Sequence, residues 1–312
     1  MNIPIENFVV ATSGGADSLC LALLAHEFAV SHSVDMYAVF VDHKLRDESS
    51  SEILPIIKVL SEKNIKSEVL VWDHEAFTVG NLENRAREAR YNLLINFCKL
   101  KKIKVLLVAH HLLDQWETFM MRLSRGSGLT GLCSMKHILV NNEIDIIRPL
   151  LNYTREDIIE TLHNKFGICE YVCDPMNDDE AYERVRFRKG YKTFSKYGLD
   201  MHNTSTSISR LQRAESCLDE IAQKAFEEMF EETFSSWYIK REPFIKSHLE
   251  IQTRIIKKAI ERMGNNKIIS YSLLERAALA ISSNNFKAIN IARCVFRKDK
   301  TKNIKVYIEQ RR

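Results

Sequence analysis

Ser13-Gly14-Gly15-Ala16-Asp17-Ser18 is a polar turn between the apolar run Asn7-Phe-Val-Val-Ala11 and Leu19-Cys-Leu-Ala-Leu-Leu-Ala25, whose residues suit a helix. A β-rich run, small residues and then a helical apolar stretch predict strand, tight turn and helix. Two glycines let the backbone approach a ligand, and Ser13 and Ser18 add hydroxyls at the positive end of the helix dipole, which together suit a phosphate. The expected ligand is a nucleotide. The turn lacks the Gly-Lys-Ser/Thr of the Walker loop and does not match Gly-x-Gly-x-x-Gly. Asp17 would repel bare phosphate, so a bridging divalent cation reconciles the two charges. An ordinary strand-helix turn with a Ser cap is the alternative reading of the turn taken alone.

The surrounding chain alternates strand and helix. Met36-Tyr-Ala-Val-Phe-Val41 reads as a buried strand ending in Asp42-His43, and a helix from about Glu52 to Asn64 leads to a third strand, Glu68-Val-Leu-Val-Trp72. Asn81 caps a long helix, Lys104–Ala109 forms a fourth strand running into His110-His111, and Ile144–Arg148 forms a fifth. Thr154-Arg-Glu-Asp157 has capping-box spacing for the next helix. The pattern predicts an α/β fold with a parallel five-stranded sheet and helices on both faces. In such a sheet ligands gather at the carboxyl ends of strands, where Ser13 to Ser18, Asp42-His43 and His110-His111 all fall.

From Met201 to about Ile281 no strand alternation is evident. Ser205 to Phe234 and His248 to Met263 have helical periodicity, and a short helix over about Ser272 to Ile281 precedes a terminal β-hairpin. We therefore expect a catalytic domain over 1–204 and a smaller, mostly helical domain over 205–312. Residues 201–312 carry 21 Lys and Arg against 13 Asp and Glu, whereas residues 1–200 carry 24 against 28. The basic surface lies in the second part and concentrates at Arg297-Lys-Asp-Lys-Thr-Lys302, a pattern suited to a nucleic-acid backbone or to a solvated charged hairpin. Seven cysteines without Cys-x-x-Cys spacing suggest structural thiols rather than a disulfide framework or zinc site. The apolar runs are too short for a membrane span and no basic-then-apolar leader opens the chain, so the expected location is cytoplasmic, with no membrane partner.

Together these segments resemble the tRNA(Ile)-lysidine synthetases of the N-type ATP pyrophosphatase superfamily, whose fold is adenine nucleotide alpha hydrolase-like. Ser13–Ser18 looks like the superfamily's pyrophosphate loop, Val41-Asp-His-Lys-Leu-Arg46 like the family's Val-Asp-His-Gly-Leu-Arg, and Arg85-Ala-Arg-Glu-Ala-Arg-Tyr91 like its Arg-rich helix. Ala109-His-His-Leu-Leu-Asp-Gln-Trp-Glu-Thr118 resembles Ala-His-His-x-Asp-Asp-Gln-x-Glu-Thr. Arg125-Gly-Ser-Gly-Leu-Thr-Gly-Leu132, Ile147-Arg-Pro-Leu-Leu151 and Asp174-Pro-Met-Asn-Asp178 are similar to the remaining blocks. Two departures stand out: Leu113 replaces the first Asp of the Asp-Asp pair, and Val185 replaces an Asn. Lys44 for Gly is milder.

The resemblance implies ATP-dependent joining of L-lysine to C2 of the wobble cytidine in a tRNA(Ile) with anticodon CAU, forming lysidine through an adenylated cytidine and releasing AMP and pyrophosphate. It implies ATP as cofactor, bound by Ser13, Gly14, Gly15, Ala16, Asp17, Ser18, Asp42 and His43, with Mg2+ held near Asp17. Asp114 and Glu117, one helical turn apart, are the implied partners of the lysine ammonium, with a surface carboxylate as the alternative reading of Glu117. Arg184 is counted with these catalytic residues. Arg184, Arg186 and Arg188 are expected to face tRNA or the activated intermediate, or else a solvated edge. His110 and His111 are expected to shape the pocket, since no third metal ligand has suitable spacing. The partners are tRNA(Ile) and lysine, and a homodimer is compatible with the sequence. A tRNA 2-thiolation enzyme of the same superfamily and a non-catalytic tRNA-binding relic are the competing readings.

Overall fold

Phe8–Thr12 (β1) is buried along its whole length, because alternate residues are claimed by opposite faces of a sheet. The computed structural model describes residues 5–42, 53–72, 82–140, 143–172, 179–233, 236–264 and 269–309, and for 82–84 the backbone only. After β1 come Ala16–His32 (α1), Met36–Asp42 (β2), Leu54–Glu62 (α2) and Ser67–Val71 (β3). Leu82–Lys101 (α3), Val105–Leu107 (β4), Leu112–Ser124 (α4) and Leu129–Leu132 (α5) follow. Ile138–Leu139 (β5), Asp145–Ile147 (β6), Arg155–Phe166 (α6), Glu183–Ser195 (α7) and Met201–Met229 (α8) come next.

The sheet order is β3-β2-β1-β4-β6-β5. β1 pairs in parallel with β2 (Val10↔Ala38) and with β4 (Val10↔Leu107). Phe8 and Val10 pack with Leu19 and Leu23 of α1, Leu60 of α2 and Leu162 of α6. Val9 and Ala11 pack on the other face with Leu94, Phe97 and Cys98 of α3. The five parallel strands, with helices on both faces, match the expectation. A sixth, β5, pairs antiparallel with β6 and was missed because two residues carry no periodicity.

The chain divides into two compact units, Met1–Ser127 with Gly131–Ile208, and Gly128–Thr130 with Ser209–Arg312. The division falls inside α8 rather than at a linker. In the second unit, Phe230–Thr233 (β7) and Ser236–Ile239 (β8) precede Arg241–Lys246 (α9), Leu249–Arg262 (α10) and Tyr271–Ser282 (α11). Ala288–Ile291 (β9), Cys294–Lys298 (β10) and Ile304–Ile308 (β11) end it. These strands form an antiparallel sheet, β7-β8-β11-β10-β9. The expected terminal hairpin is thus the β10-β11 pair of a larger sheet, joined to β8 at Ile304↔Ile239. The sequence reading corrected here is the strandless stretch from Met201 to Ile281: β7 and β8 are four residues each, and their apolar side chains extended the helical pattern of α8.

Ile255, Ile256 and Ile260 of α10 pack with Phe244, Phe296 and Val306 in this unit's core. Arg254, on the same helix, is 7% exposed and donates to both carboxylate oxygens of Glu215, at 3.0 and 2.6 Å, and to Glu250 at 2.8 Å. No helix among the described residues is long and apolar enough to cross a membrane. Phe40 of β2, 1% exposed, is among the largest buried side chains. Phe40→Ala is expected to cost about 3–5 kcal/mol in chemical denaturation; a change below ~1 kcal/mol would show that the sheet face closes over the gap.

Candidate active site

The chain leaves β1 in the middle of the sheet, builds β2 and β3 on one side and returns to β4 on the other. That reversal opens a crevice beyond the carboxyl ends of β1 and β4. A cavity of about 460 Å3 lies there, lined by Ser13, Gly15, Asp17 and Ser18 from one strand end and by Val108, Ala109, His110 and His111 from the other.

Helix α1 begins at Ala16, so Asp17 and Ser18 already belong to its first turn, with Gly15 as the N-cap. The first N–H groups of a helix have no intrahelical acceptor. Gly15 offers no side chain to cap them. The loop is shaped by its serines: Ser18 Oγ accepts from Ser13 N–H at 3.1 Å, donates to Gly15 O at 3.1 Å and lies 3.1 Å from Ser13 Oγ. Gly14 has φ of +87°, and its carbonyl accepts from Val172 N–H at 3.0 Å; an added Cβ would meet Val172 at 3.0 Å. Only glycine meets both demands.

His111 is the N-cap of α4. Its backbone N–H donates to Asp114 Oδ2 at 2.9 Å, and its Nδ1 accepts from Leu113 N–H at 3.2 Å. With Nδ1 an acceptor, the ring proton sits on Nε2, which lies 3.6 Å from Asp114 Oδ2 and 3.8 Å from Asp17 Oδ2. One imidazole therefore spans two carboxylates from different strand ends. Burial pushes the Asp17 carboxyl above its ordinary range, against the pull of His111 and Arg155. Burial also opposes ionisation of Asp114, but His111, through its ring and its backbone N–H, and Arg184 outweigh it and hold that carboxyl below the usual range. His110 is pushed down to about 3 by burial and stays neutral. Oδ1 of Asp17 and Nδ1 of His110 are buried without hydrogen-bond partners among the described residues.

The lining is also cationic. Arg87 and Arg90, three apart on α3, Arg155 at the start of α6, and Arg184 and Arg188 on α7 all line the cavity. Arg87, Arg90 and Arg155 were given no role in the sequence reading; their signal is helical spacing and a position just after the Thr154 cap. Arg186 turns away and is exposed, donating to the carbonyls of Glu180 and Ala181 at 2.7 and 2.9 Å. Leu113 and Val185, the two departures from the family motifs, both line the cavity.

Several expected residues lie off its walls. Asp42 is buried at the end of β2, and Gly14 and Ala16 form the loop behind its lining residues. His43, the rest of its block and Asp174–Asp178 lie outside the described residues. Glu117 is 0% exposed, which removes the alternative reading of a surface carboxylate. It is paired with Arg188, whose Nε donates to Oε1 at 2.6 Å, and with Arg184, whose Nε lies 2.9 Å from Oε2.

Residues 2–191 match the family model of the PP-loop domain. Over 219 residues the chain is 36% identical to the tRNA(Ile)-lysidine synthase of Wolbachia pipientis wMel, covering 70% of this chain and 50% of that protein. The protein of that name from Rickettsia prowazekii (strain Madrid E) is 40% identical over 188 residues, covering 60% of this chain and 43% of the relative. That from Orientia tsutsugamushi (strain Boryong) is 37% identical over 179 residues, with 57% and 40% covered. The chain thus spans half or less of the length of these curated relatives. Among solved structures, the U34-tRNA thiolase NcsA from Methanococcus maripaludis with its 4Fe-4S cluster shares the fold, with a TM-score of 0.56 at 18% identity over 67% of this chain and 72% of that one.

The raised carboxyl of Asp17 has a consequence for stability. A buried acid that binds its proton more tightly when folded contributes stability below its unfolded pKa and loses it as pH rises through the folded one. Asp17→Asn, which cannot ionise, is therefore expected to melt progressively higher than the wild type as pH rises from the acid range to neutrality. Thermal melts across that range check this, and a gap that narrows with pH would reverse the sign.

Proposed function

The chain belongs to the PP-loop family, and from that premise we propose that it joins L-lysine to C2 of the wobble cytidine of a tRNA(Ile) with anticodon CAU, using ATP. In this reading O2 of the cytidine attacks the α-phosphorus of ATP, and pyrophosphate leaves with the electrons of the broken bond. The lysine ε-amine then attacks C2, AMP leaves, and the amine proton passes to a base. What supports the reading is that one cavity is lined by both carboxylates and arginines. A leaving pyrophosphate needs cations and N–H donors; an ammonium needs an ionised carboxylate.

The first need is met by the Ser13–Ser18 loop at the start of α1 and by the arginine wall, which stabilise developing negative charge. The orphaned Oδ1 of Asp17 fits a hard cation that prefers oxygen ligands. Asp17 would hold Mg2+, which when bound supplies charge stabilisation at the phosphates. The second need falls to Asp114, held ionised by its histidine and arginine neighbours. The His111 backbone N–H orients Asp114 at 2.9 Å, and the His111 ring stands between Asp114 and Asp17, with Nε2 at 3.6 and 3.8 Å from their carboxylates. Without hydrogen bonding from Leu113, lysine affinity is weak in this reading.

For tRNA itself the basic second unit is the proposed contact. Lys287, Arg297 and Lys298 line an open recess of about 510 Å3 beside the β9-β10 edge, where Arg297 follows the alternation of a solvent-facing strand. The deciding experiment is mass spectrometry of tRNA(Ile) after incubation with the full chain, ATP and lysine. The expected product is heavier by one lysine less water; tRNA of unchanged mass would refute the assignment.

Two further outcomes are expected. Leu113→Asp lowers the KM for lysine about tenfold to a hundredfold, the worth of one charge-assisted hydrogen bond, with little change for ATP. Asp114→Asn spares tRNA-dependent pyrophosphate release but nearly eliminates lysine transfer. Following the two half-reactions separately checks both, and an unchanged lysine KM with full transfer by Asp114→Asn would move the amine elsewhere. Replacing Arg297 and Lys298 by Glu should weaken tRNA binding and flatten its dependence on log salt by roughly 1–2, leaving ATP affinity intact. A salt titration identical to that of the wild type would remove this edge from the interface.

A further inference from the structure

Glu117 lies on α4 between Trp116 and Thr118, with its side chain wholly removed from solvent. Trp116 docks α7 beside it: the indole donates to Leu199 O at 2.7 Å and meets Tyr191 edge-on at 5.0 Å. Into this apolar contact between α4 and α7 the chain places one carboxylate and two guanidinium groups. Arg184 and Arg188 are four residues apart and so share a face of α7. A buried ion pair is a weak source of stability, because desolvation offsets most of the Coulomb attraction, and apolar side chains of similar volume would dock the helices as well or better. Geometry is what it provides.

Both arginines present Nε to Glu117, at 2.9 and 2.6 Å, one on each carboxylate oxygen. Their side chains are 30% and 28% exposed and line the cavity. Using Nε toward Glu117 leaves the Nη groups for other partners; among the described residues Arg184 Nη2 donates to Thr118 Oγ1 at 3.3 Å. One carboxylate against two guanidiniums leaves a net positive charge at the wall. Oε1 accepts from Arg188, whereas Oε2 has Arg184 as an ion-pair neighbour without a directed hydrogen bond; the carboxylate is nonetheless 0% exposed behind the two guanidiniums, which keeps an ammonium in the cavity away from it.

We infer that Glu117 is a positioning residue that aims Arg184 and Arg188 at phosphoryl oxygens of a nucleotide in the cavity, and that it does not contact the amine. This deepens the proposed function and rests on it for the identity of the anion as ATP. Removing the charge while keeping the shape, as in Glu117→Gln, frees both arginines from their shared anchor.

The test titrates ATP into the full chain calorimetrically for wild type, Glu117→Gln, Arg188→Gln and the double variant, with melts to confirm folding. Each single change is expected to weaken ATP about tenfold, and the double variant no more than the weaker single, because an arginine without its anchor has already lost its aim. The KM for lysine stays at the wild-type value in Glu117→Gln. Wild-type ATP affinity in Glu117→Gln, strict additivity in the double variant, or a raised lysine KM with ATP unaffected would each overturn the inference. Should Glu117→Gln fail to fold, Glu117→Asp keeps the charge but shortens the reach, and an ATP affinity equal to wild type would count against the inference in the same way. If the wild type forms no lysidine yet shows this ATP pattern, the assigned reaction fails and the positioning role stands.

Discussion

Parallel pairing of β1 on both of its edges is the constraint from which the rest of the first unit follows. A strand flanked by β2 and β4 and covered on both faces must be apolar throughout, and Phe8, Val9, Val10 and Ala11 are each 1% exposed or less. Parallel neighbours also end at the same edge of the sheet. Two loops with no sequence relation, the serine-glycine turn and the histidine pair, are thereby brought to one cavity. The order of winding reverses between β1 and β4, and the crevice opens at that point of the sheet.

What that crevice can do is set by burial as much as by residue type. Asp17 and Asp114 both approach His111 Nε2, yet they are driven in opposite directions: burial dominates at Asp17, whereas the cationic surroundings dominate at Asp114. Two similar acids thus have different readiness to hold a proton or a metal. His110, one residue before His111, is neutral because burial outweighs the nearby carboxylate. Two of the arginines lining the cavity, Arg184 and Arg188, are paired with the buried Glu117.

The second unit reaches order by another route. Its sheet is antiparallel with an amphipathic helix, α10, burying Ile255, Ile256 and Ile260 against strand residues such as Phe296. Among its described residues the buried charges Arg254 and Glu215 pair with each other; Arg254 also donates to Glu250, and Glu215 also accepts from Thr130 Oγ1 at 2.9 Å. With that arginine satisfied internally, the basic residues around β10 remain on the surface.

Much of this was legible in the sequence where the signal is local. The apolar runs, the Ser-Gly-Gly turn and the Thr154 capping box each depend on residues within a few positions of one another, and the structure bears out those elements: Thr154 Oγ1 accepts from Asp157 N–H at 3.1 Å, and Asp157 accepts from Thr154 N–H at 2.8 Å. Short strands escaped, because β5, β7 and β8 hold too few residues for a period and are recognised only through partners such as Ile239↔Ile304. Spacing also put Asp114 and Glu117 on one helix face without telling their fates apart. Asp114 reaches the cavity from the first turn of α4, while Glu117, a turn later, is covered when α7 packs over it. Sequence by itself determined the strands of the parallel sheet, the main helices and which polar groups stand at strand ends; tertiary structure alone decided which charges meet, because Arg188 and Glu117 are 71 residues apart and only the docking of α7 on α4 brings them within 2.6 Å.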